Sequence, residues 1–145
     1  MTYIEIGDWT LMQAAAQTVR TAVFVHEQGI APEDEWDADD ATALHAVLFD
    51  LHGTPLGNAR LLQPSDNIAK VGRMAVLRQE RGHGYGARLL LALLREARRR
   101  GNKEVRLSAQ RSAEGFYAAH GFVISGEPFD EVGIPHIEMQ LDLTQ

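Results

Sequence analysis

The chain of 145 residues contains no cysteine. Without a thiol it can form no disulfide and no Cys-ligated metal site, and an acyl-cysteine intermediate is excluded. Long apolar runs are missing as well, because the longest aliphatic run, residues 89–94, is far shorter than a membrane-spanning helix. Residues 1–10 lack the basic and apolar regions of a secretory signal. We therefore expect a cytoplasmic protein with no membrane partner.

Positive charge is also scarce: 14 Lys and Arg residues stand against 20 Asp and Glu residues, a formal net charge of -6. Proteins that bind nucleic acid need a positive surface for the phosphate backbone, so we expect no nucleic-acid partner. The basic cluster at residues 95–103 falls at the end of a predicted helix, where cations favour the negative end of the dipole. The remaining composition, 45% hydrophobic and 23% charged, is ordinary for a globular protein, and the length predicts one domain over residues 1–145.

Periodicity predicts the first elements. Residues 2–6 are a candidate strand, and residues 9–27 a helix, because apolar residues recur there at intervals of four. Residues 28–43 break the periodicity and are predicted to be a loop. Six of the eight residues from Glu33 to Asp40 are carboxylates, but the EF-hand glycine and final glutamate are missing, so a solvated loop is favoured over a calcium site. The apolar residues of the predicted helix are Leu11, Ala15, Val19 and Val23.

The rest of the chain alternates short strands with two helices. A helix from about Gly84 to Arg100 ends at Gly101, and a short helix capped by Ser112 ends at Gly121. This order predicts an α/β fold of the α+β type, a mixed central sheet of six to seven strands flanked by three to four helices. The later strands are predicted at residues 44–51, 56–62, 70–77, 104–109, 122–126 and 136–143.

The stretch "RGHGYG", residues 81–86, begins the longer helix with three glycines. The first N–H groups of a helix have no internal partner, and glycines leave those donors open to an anion such as a phosphate. Arg81 could add a charge-assisted contact. A ligand-free tight turn is one alternative. A dinucleotide fingerprint, Gly82, Gly84 and Ala87, is another, but "RQER" separates it from the strand that it should follow.

A third interpretation fits the surrounding sequence best. Arg81, Gly84 and Gly86 spell R-x-x-G-x-G, which resembles the acyl-CoA pyrophosphate loop of the GNAT family of N-acetyltransferases. Downstream, "GFYAAHGF" resembles the family's Tyr-x-x-x-Gly-Phe helix, here Tyr117, Gly121 and Phe122. More narrowly, "VRTAVFVHEQGI" resembles the ElaA-like branch, while "GRMAV", "AQRSAEGFY" and "GIPHIEM" resemble small members similar to glyphosate acetyltransferase.

The resemblance implies a single-domain GNAT fold over residues 1–145 and an acetyl-CoA-dependent N-acetyltransferase. It implies acetyl-CoA as co-substrate with no metal, direct transfer to a small amine in a ternary complex, and a homodimer, which is common in the family. The Val76 N–H is a candidate oxyanion donor. An acyl-CoA-binding regulatory or interaction module with little transferase activity is the alternative function. The residues expected to contact CoA are Met74, Ala75, Val76, Arg81, Gly82, His83, Gly84, Tyr85, Gly86 and Ala87.

The resemblance also implies the residues that act on the acceptor. His136 is the expected base and Tyr117 the expected acid toward the CoA sulfur, with structural roles as the alternatives. An anionic group on the amine would be bound by the arginines at positions 20, 73 and 111; pairing of Arg73 with Glu138, or plain surface charge, is the alternative. Glu27 and His45 are secondary candidates for substrate contact or base. "HEQGI" begins like a zinc-protease motif, but Ile30 takes the place of its second histidine. The three arginines are Arg20, Arg73 and Arg111.

Overall fold

The first helix begins where Asp8 caps it. In the computed structural model, which describes residues 1–144, the Asp8 carboxylate accepts a hydrogen bond of 3.0 Å from the Leu11 N–H. Helix α1 runs from Trp9–Arg20 and continues as a π-helix over Thr21–Glu27. The predicted extent is therefore confirmed, but the last seven residues have the wider i to i+5 bonding that often marks functional sites.

The buried face of this helix differs from the predicted one. Met12 and Ala16 are buried, whereas Leu11 is 78% exposed, so the prediction that Leu11 faces the core was wrong. Val19 and Val23 are buried as expected. The buried apolar residues follow intervals of four, three and four, because a constant interval of four drifts around a helix of 3.6 residues per turn and carries Leu11 off the buried face.

The sheet is mixed, as predicted, and has eight strands in residues 1–144, one more than the upper predicted number. The strands are β1 Thr2–Gly7, β2 Leu44–Asp50, β3 Pro55–Ser65, β4 Ile68–Val76, β5 Glu104–Gln110, β6 Val123–Ile124, β7 Phe129–Glu131 and β8 Ile134–Asp142. They follow the order β1-β2-β3-β4-β5-β8-β6, with β7 paired to β8. Neighbouring strands are antiparallel except for the β4–β5 pair, whose parallel direction requires a crossover connection, which here contains a helix.

Three further α-helices complete the fold, together with 3-10 turns. The short helix α4, Glu114–Ala119, was predicted to be capped by Ser112, but Ala113 is its N-cap and makes no side-chain hydrogen bond to the helix. Ser112 lies instead in a preceding 3-10 turn, whose backbone bond between Glu114 N–H and the Arg111 carbonyl takes the place of a cap. None of the helices in residues 1–144 has the length and hydropathy that a membrane span requires. The bounds are α2 Pro32–Glu35, α3 Tyr85–Arg99 and α4 Glu114–Ala119, with 3-10 turns at Ala38–Ala41, Arg78–Glu80 and Arg111–Ala113.

Helices α1 and α3 cover opposite faces of the sheet. Leu48 belongs to the apolar cluster of α3, and its neighbours Val47 and Phe49 to a cluster with α1. Successive side chains of a strand point to opposite faces, so β2 is covered on both sides. Helix α3 contributes the larger core, through Leu89, Leu90, Leu93, Leu94 and Ala97.

The sheet opens between β4 and β5. The two strands pair only along Ile68–Val71, after which β4 continues against β3 alone. Between Gly72 and Ala75, β4 has one residue more than β3 opposite it, so the strand bulges. Arg73 lies in this bulge with φ of 52°, a conformation that a residue with a side chain rarely adopts. The bulge and the separation of the strands create the gap in which the candidate site lies.

Candidate active site

A cavity of about 900 Å³ lies where β4 and β5 separate. Its walls come from the π-helix and the acidic segment after it, the bulged end of β4, the end of β5, the start of α3, helix α4, and the β7–β8 hairpin with His136 of β8. The predicted site residues that line it are Glu27, Arg73, Met74, Ala75, Val76, Arg81, Gly86, Tyr117 and His136. Predicted site residues that are distant in the sequence thus line one cavity.

The start of α3 has the geometry of an anion site. Gly84 is the N-cap in the left-handed conformation, with φ of 77°, and Gly82 has φ of 88°, which explains why both positions are glycine. The first helical bond runs from Arg88 N–H to the Gly84 carbonyl at 3.1 Å. The N–H groups of residues 85–87 precede this bond and so have no acceptor within the helix. Such a turn can hold a phosphate group.

Arg81 is turned away from these glycines. Its Nη1 and Nη2 donate to the two carboxylate oxygens of Glu27 at 2.7 and 2.8 Å, and its Nε donates to the Val76 carbonyl at 3.0 Å. The His83 and Tyr85 rings lie 5.5 Å apart on the loop itself. The side-chain contact with an anion that was expected of Arg81 is therefore not prepared in this structure.

His136, on β8, is 6% exposed and lines the cavity. Its Nδ1 lies 2.7 Å from the Ile134 carbonyl oxygen, which can only accept, so Nδ1 carries the proton. In the neutral ring this leaves Nε2 as the free acceptor. Nε2 is 3.6 Å from a carboxylate oxygen of Glu131, and the Phe129 ring stacks on the imidazole. The arrangement suits a base, because the ring is oriented and a carboxylate lies beside the nitrogen that would gain charge.

Tyr117, on α4, is 7% exposed and also lines the cavity. Phe116 and Phe122 pack edge-on against its ring and fix its orientation. Burial raises the pKa of Tyr117 to about 12, so the hydroxyl keeps its proton at neutral pH. At neutral pH the side chain is therefore a hydroxyl that carries a proton to donate, and not a phenolate that could act as a base.

Arg20 lies outside the cavity, in the protein interior, where none of its side chain is exposed. Its Nε is 2.7 Å from Glu35 and its Nη1 is 2.8 Å from Asp40. The guanidinium also lies 4.8 Å from the centre of the Trp36 ring and 5.6 Å from that of Trp9. The prediction that Arg20 binds substrate is contradicted by this geometry, because no ligand can reach its paired and buried guanidinium.

The other two arginines of the predicted anion site are also paired. Arg73 donates to the Glu35 carbonyl at 3.1 Å and lies 3.2 Å from the Asp37 carboxylate, with its side chain 24% exposed in the cavity wall. The alternative of pairing with an acid is thus realised, with these residues and not with Glu138. Arg111 is 2.9 Å from Glu114 on the surface and does not line the cavity. The structure therefore does not bring the three arginines together.

The acidic segment that pairs with these arginines was predicted to be a solvated loop. That prediction was wrong for Glu35 and Asp40, which are 2% and 3% exposed. Asp40 accepts hydrogen bonds from both Arg20 and Arg60 at 2.8 Å. Burial alone would raise the pKa of Asp40, but these two arginines outweigh it and lower the pKa. The segment folds inward because a buried arginine needs carboxylates to compensate its lost hydration.

The two secondary base candidates are unsuited to that role. The hydrogen bond from Arg81 lowers the pKa of Glu27, so this carboxylate binds protons weakly. His45 is fully buried, with Nε2 2.9 Å from the Asp40 carbonyl oxygen and its ring against Trp9. Burial lowers the pKa of His45, and the residue does not line the cavity. We assign His45 a structural role.

Several cavity residues carried no recognisable signal in the sequence. Glu131 is separated from His136 by a hairpin turn and reaches it only because β7 pairs with β8. Gln28 and Gln110 exchange hydrogen bonds across the cavity, with Gln110 Nε2 2.9 Å from Gln28 Oε1. These two are 82 positions apart. An alternation of polar residues at the end of β5 is the most that the sequence could have offered.

Comparison with known proteins agrees with this architecture. The family model described as an acetyltransferase (GNAT) domain matches residues 11–143. The chain belongs to the GNAT family of acetyltransferases. The uncharacterized N-acetyltransferase YjcF of Bacillus subtilis is 36% identical over 125 residues, covering 86% of this chain and 88% of YjcF. This GNAT chain is therefore an N-acetyltransferase, and acetyl-CoA-dependent N-acetylation is the activity of its family.

Solved structures confirm the GNAT fold. Escherichia coli ElaA matches with a TM-score of 0.87 and 28% identity, covering 98% of this chain and all of ElaA (100%). An acyl-CoA N-acyltransferase from Pseudomonas aeruginosa matches with a TM-score of 0.86 and 31% identity, covering 97% of this chain and 99% of that one. Both the family resemblance and the likeness to ElaA are thus confirmed. Within residues 1–144 there is no group of three or more His, Asp or Glu side chains placed to hold a metal ion.

Proposed function

We propose that this GNAT acetyltransferase transfers the acetyl group of acetyl-CoA directly to the nitrogen of a small amine, with both substrates bound at once. The observation that carries the proposal is the shared cavity, in which Tyr117 and His136 lie beside the bulged end of β4 and the glycine-led start of α3. Because the chain has no cysteine, direct attack by the amine is favoured over an acyl-cysteine intermediate.

Donor binding is assigned to backbone groups. The stretch Met74–Val76 follows the point where β4 loses its partner in β5, so those of its N–H and C=O groups that face away from β3 are available to the arm of CoA, apart from the Val76 carbonyl that Arg81 binds. The turn of residues 82–87 presents N–H groups without helical acceptors, and its glycines let a pyrophosphate approach closely. Among residues 1–144, no heavy atom lies within 4 Å of a Cβ built at Gly82 or Gly84, so the approach is open.

Acetyl transfer then needs two proton movements. Nε2 of His136 takes a proton from the amine, whose nitrogen forms a bond to the thioester carbon while the Val76 N–H stabilises the oxyanion. The carbon–sulfur bond breaks, and the Tyr117 hydroxyl gives its proton to the departing sulfur. Glu131 lies beside the imidazolium that forms, at 3.6 Å from Nε2. Two observations support these roles: Nδ1 of His136 bonds the Ile134 carbonyl oxygen, which leaves Nε2 as the acceptor in the neutral ring, and burial raises the pKa of Tyr117 to about 12, so its hydroxyl holds a proton at neutral pH.

The positions of the three arginines bear on whether the acceptor amine carries an anionic group. The sequence analysis expects an anionic group on the amine, but Arg20 and Arg111 lie outside the cavity, and Arg73 is engaged by Asp37. An anionic group could bind Arg73 only in place of that carboxylate. We therefore propose a small amine as the acceptor class and let the assay decide whether it carries an anion.

The deciding experiment is an acetylation assay that detects released CoA with amino acids, aminophosphonates, polyamines and peptides as acceptors. We expect turnover with at least one class, and a loss of about a hundredfold in H136Q, because general base catalysis contributes that much or more. H52Q is the matched control, since His52 is exposed in the turn between β2 and β3. Binding of acetyl-CoA without release of CoA on any amine would favour the alternative, a CoA-binding module.

A further inference from the structure

The side chain of Arg81 connects three elements. It belongs to the loop before α3, it clamps Glu27 at the end of the π-helix with two hydrogen bonds, and it donates to the carbonyl of Val76 at the end of β4. The Nε, Nη1 and Nη2 atoms of Arg81 thus all donate to Val76 or Glu27. Paired N–H donors on one carboxylate form the strongest and most directional type of ion pair.

Glu27 lies between two spaces. It lines the active-site cavity and also a surface groove of about 530 Å³ on the other side of the π-helix. Its side chain is only 19% exposed, and Arg78 is a second cation at 3.4 Å. The Glu27 carboxylate and its ion pair with Arg81 therefore lie where the groove and the cavity adjoin.

We infer that Arg81 and Glu27 form a strut that holds the acceptor side of the cavity, and that Arg81 is a positioning residue and not a ligand of the CoA pyrophosphate. The inference rests on the proposed function and concerns the same cavity. The phosphate site is left to the backbone N–H groups of residues 84–87, which do not depend on the Arg81 side chain. The strut instead holds the end of β4, at Val76, against the end of the π-helix, at Glu27.

The test compares R81Q, E27Q, the double variant R81Q/E27Q and R81K. The dissociation constant of CoA is measured by calorimetry, and kcat and KM are measured with the amine that the unmodified protein acetylates fastest. We expect the CoA constant to stay within about twofold, while kcat/KM for the amine falls by about tenfold in all four variants. The double variant is no worse than R81Q, because R81Q already removes the contact with Glu27 together with the one to the Val76 carbonyl. R98Q, at an exposed arginine in the last turn of α3, is the matched control.

A pyrophosphate ligand would behave differently. R81Q would then raise the dissociation constant of CoA by about tenfold or more while E27Q would not, and R81K, which keeps the charge, would retain CoA. That result, additive losses in the double variant, or unchanged kcat/KM throughout would overturn the inference. A crystal structure with CoA bound tests the inference without turnover. Hydrogen bonds from Arg81 to Glu27 would support the strut, and hydrogen bonds from Arg81 to the CoA phosphates would refute it. If the unmodified protein fails to bind CoA, the proposed function itself falls.

Discussion

Replacing Arg20 by methionine should destabilise the protein without changing how it recognises its substrates. The methionine keeps much of the side chain's length but removes four hydrogen bonds, including one of 2.7 Å to Glu35 and one of 2.8 Å to Asp40. Both carboxylates are at most 3% exposed, so neither can recover its lost partner from water.

The size of the effect follows from this burial. Breaking a buried ion pair by removing one partner costs about 3–5 kcal/mol, since it leaves an uncompensated buried charge. Asp40 keeps Arg60 at 2.8 Å and Glu35 keeps Arg73 at 3.1 Å, which favours the lower end of that range. For a domain of this size, about 3 kcal/mol corresponds to a drop in Tm of roughly 10 °C.

Differential scanning calorimetry of R20M measures this directly, with R111M as the matched control. Arg111 pairs with Glu114 at the surface, and its loss should cost less than about 1 kcal/mol. If R20M melted within about 2 °C of the unmodified protein and instead raised KM for the amine, the structural assignment would be refuted. Arg20 would then be the substrate ligand that the sequence analysis expects.

Three further predictions concern the donor site, the acid and pH. Y117F should lower kcat by about a hundredfold in the CoA-release assay, with CoA binding changed less than about twofold; unchanged kcat would reduce Tyr117 to a packing residue. G84A should raise the dissociation constant of CoA by about tenfold, because alanine disfavours φ of 77°, whereas G53A, with φ of 82° in a distant turn, should leave it unchanged. Hydrogen bonds from Arg60 hold the pKa of Asp37 below its usual value of 3.8. This ion pair therefore contributes its full stability above that value and loses it as pH falls through the lowered pKa, so D37N should flatten the acid-unfolding curve measured by circular dichroism.

Local signals in the sequence accounted for most elements. The four-residue apolar interval predicted the first helix, and Gly101 and Gly121 ended two others where expected, with φ of 83° and 93°. These signals work because caps and left-handed glycines act within one turn of the backbone. The exposed Leu11 and the misassigned cap at Ser112 show the limit: a constant interval of four drifts off the buried face of a helix, and a 3-10 turn can take the place of a side-chain cap.

The candidate site likewise contains residues that motifs could identify and residues whose roles only the folded chain shows. Tyr117, His136 and the glycine loop could be named as candidates because the short motifs around them resemble those of the GNAT family. The roles of the arginines could not, since any arginine in a sequence can equally be a substrate ligand, a surface charge or a buried partner. Only the folded chain shows that Glu35 and Asp40 turn inward to meet Arg20 and Arg60.

The sequence by itself determined the absence of thiol chemistry, the open N–H groups that begin α3, and the order of α1, α3, α4 and seven of the strands, all of which follow from composition or from backbone rules over a few residues. It did not predict α2 or β7. The tertiary structure alone decided which groups meet. The separation of β4 from β5 makes the cavity, and pairing of β7 with β8 puts Glu131 beside His136. It also directs Arg81 to Glu27, 54 positions away. The reason is physical: burial and pairing of a charge depend on the partners that folding brings within about 3 Å, and sequence spacing does not contain that distance.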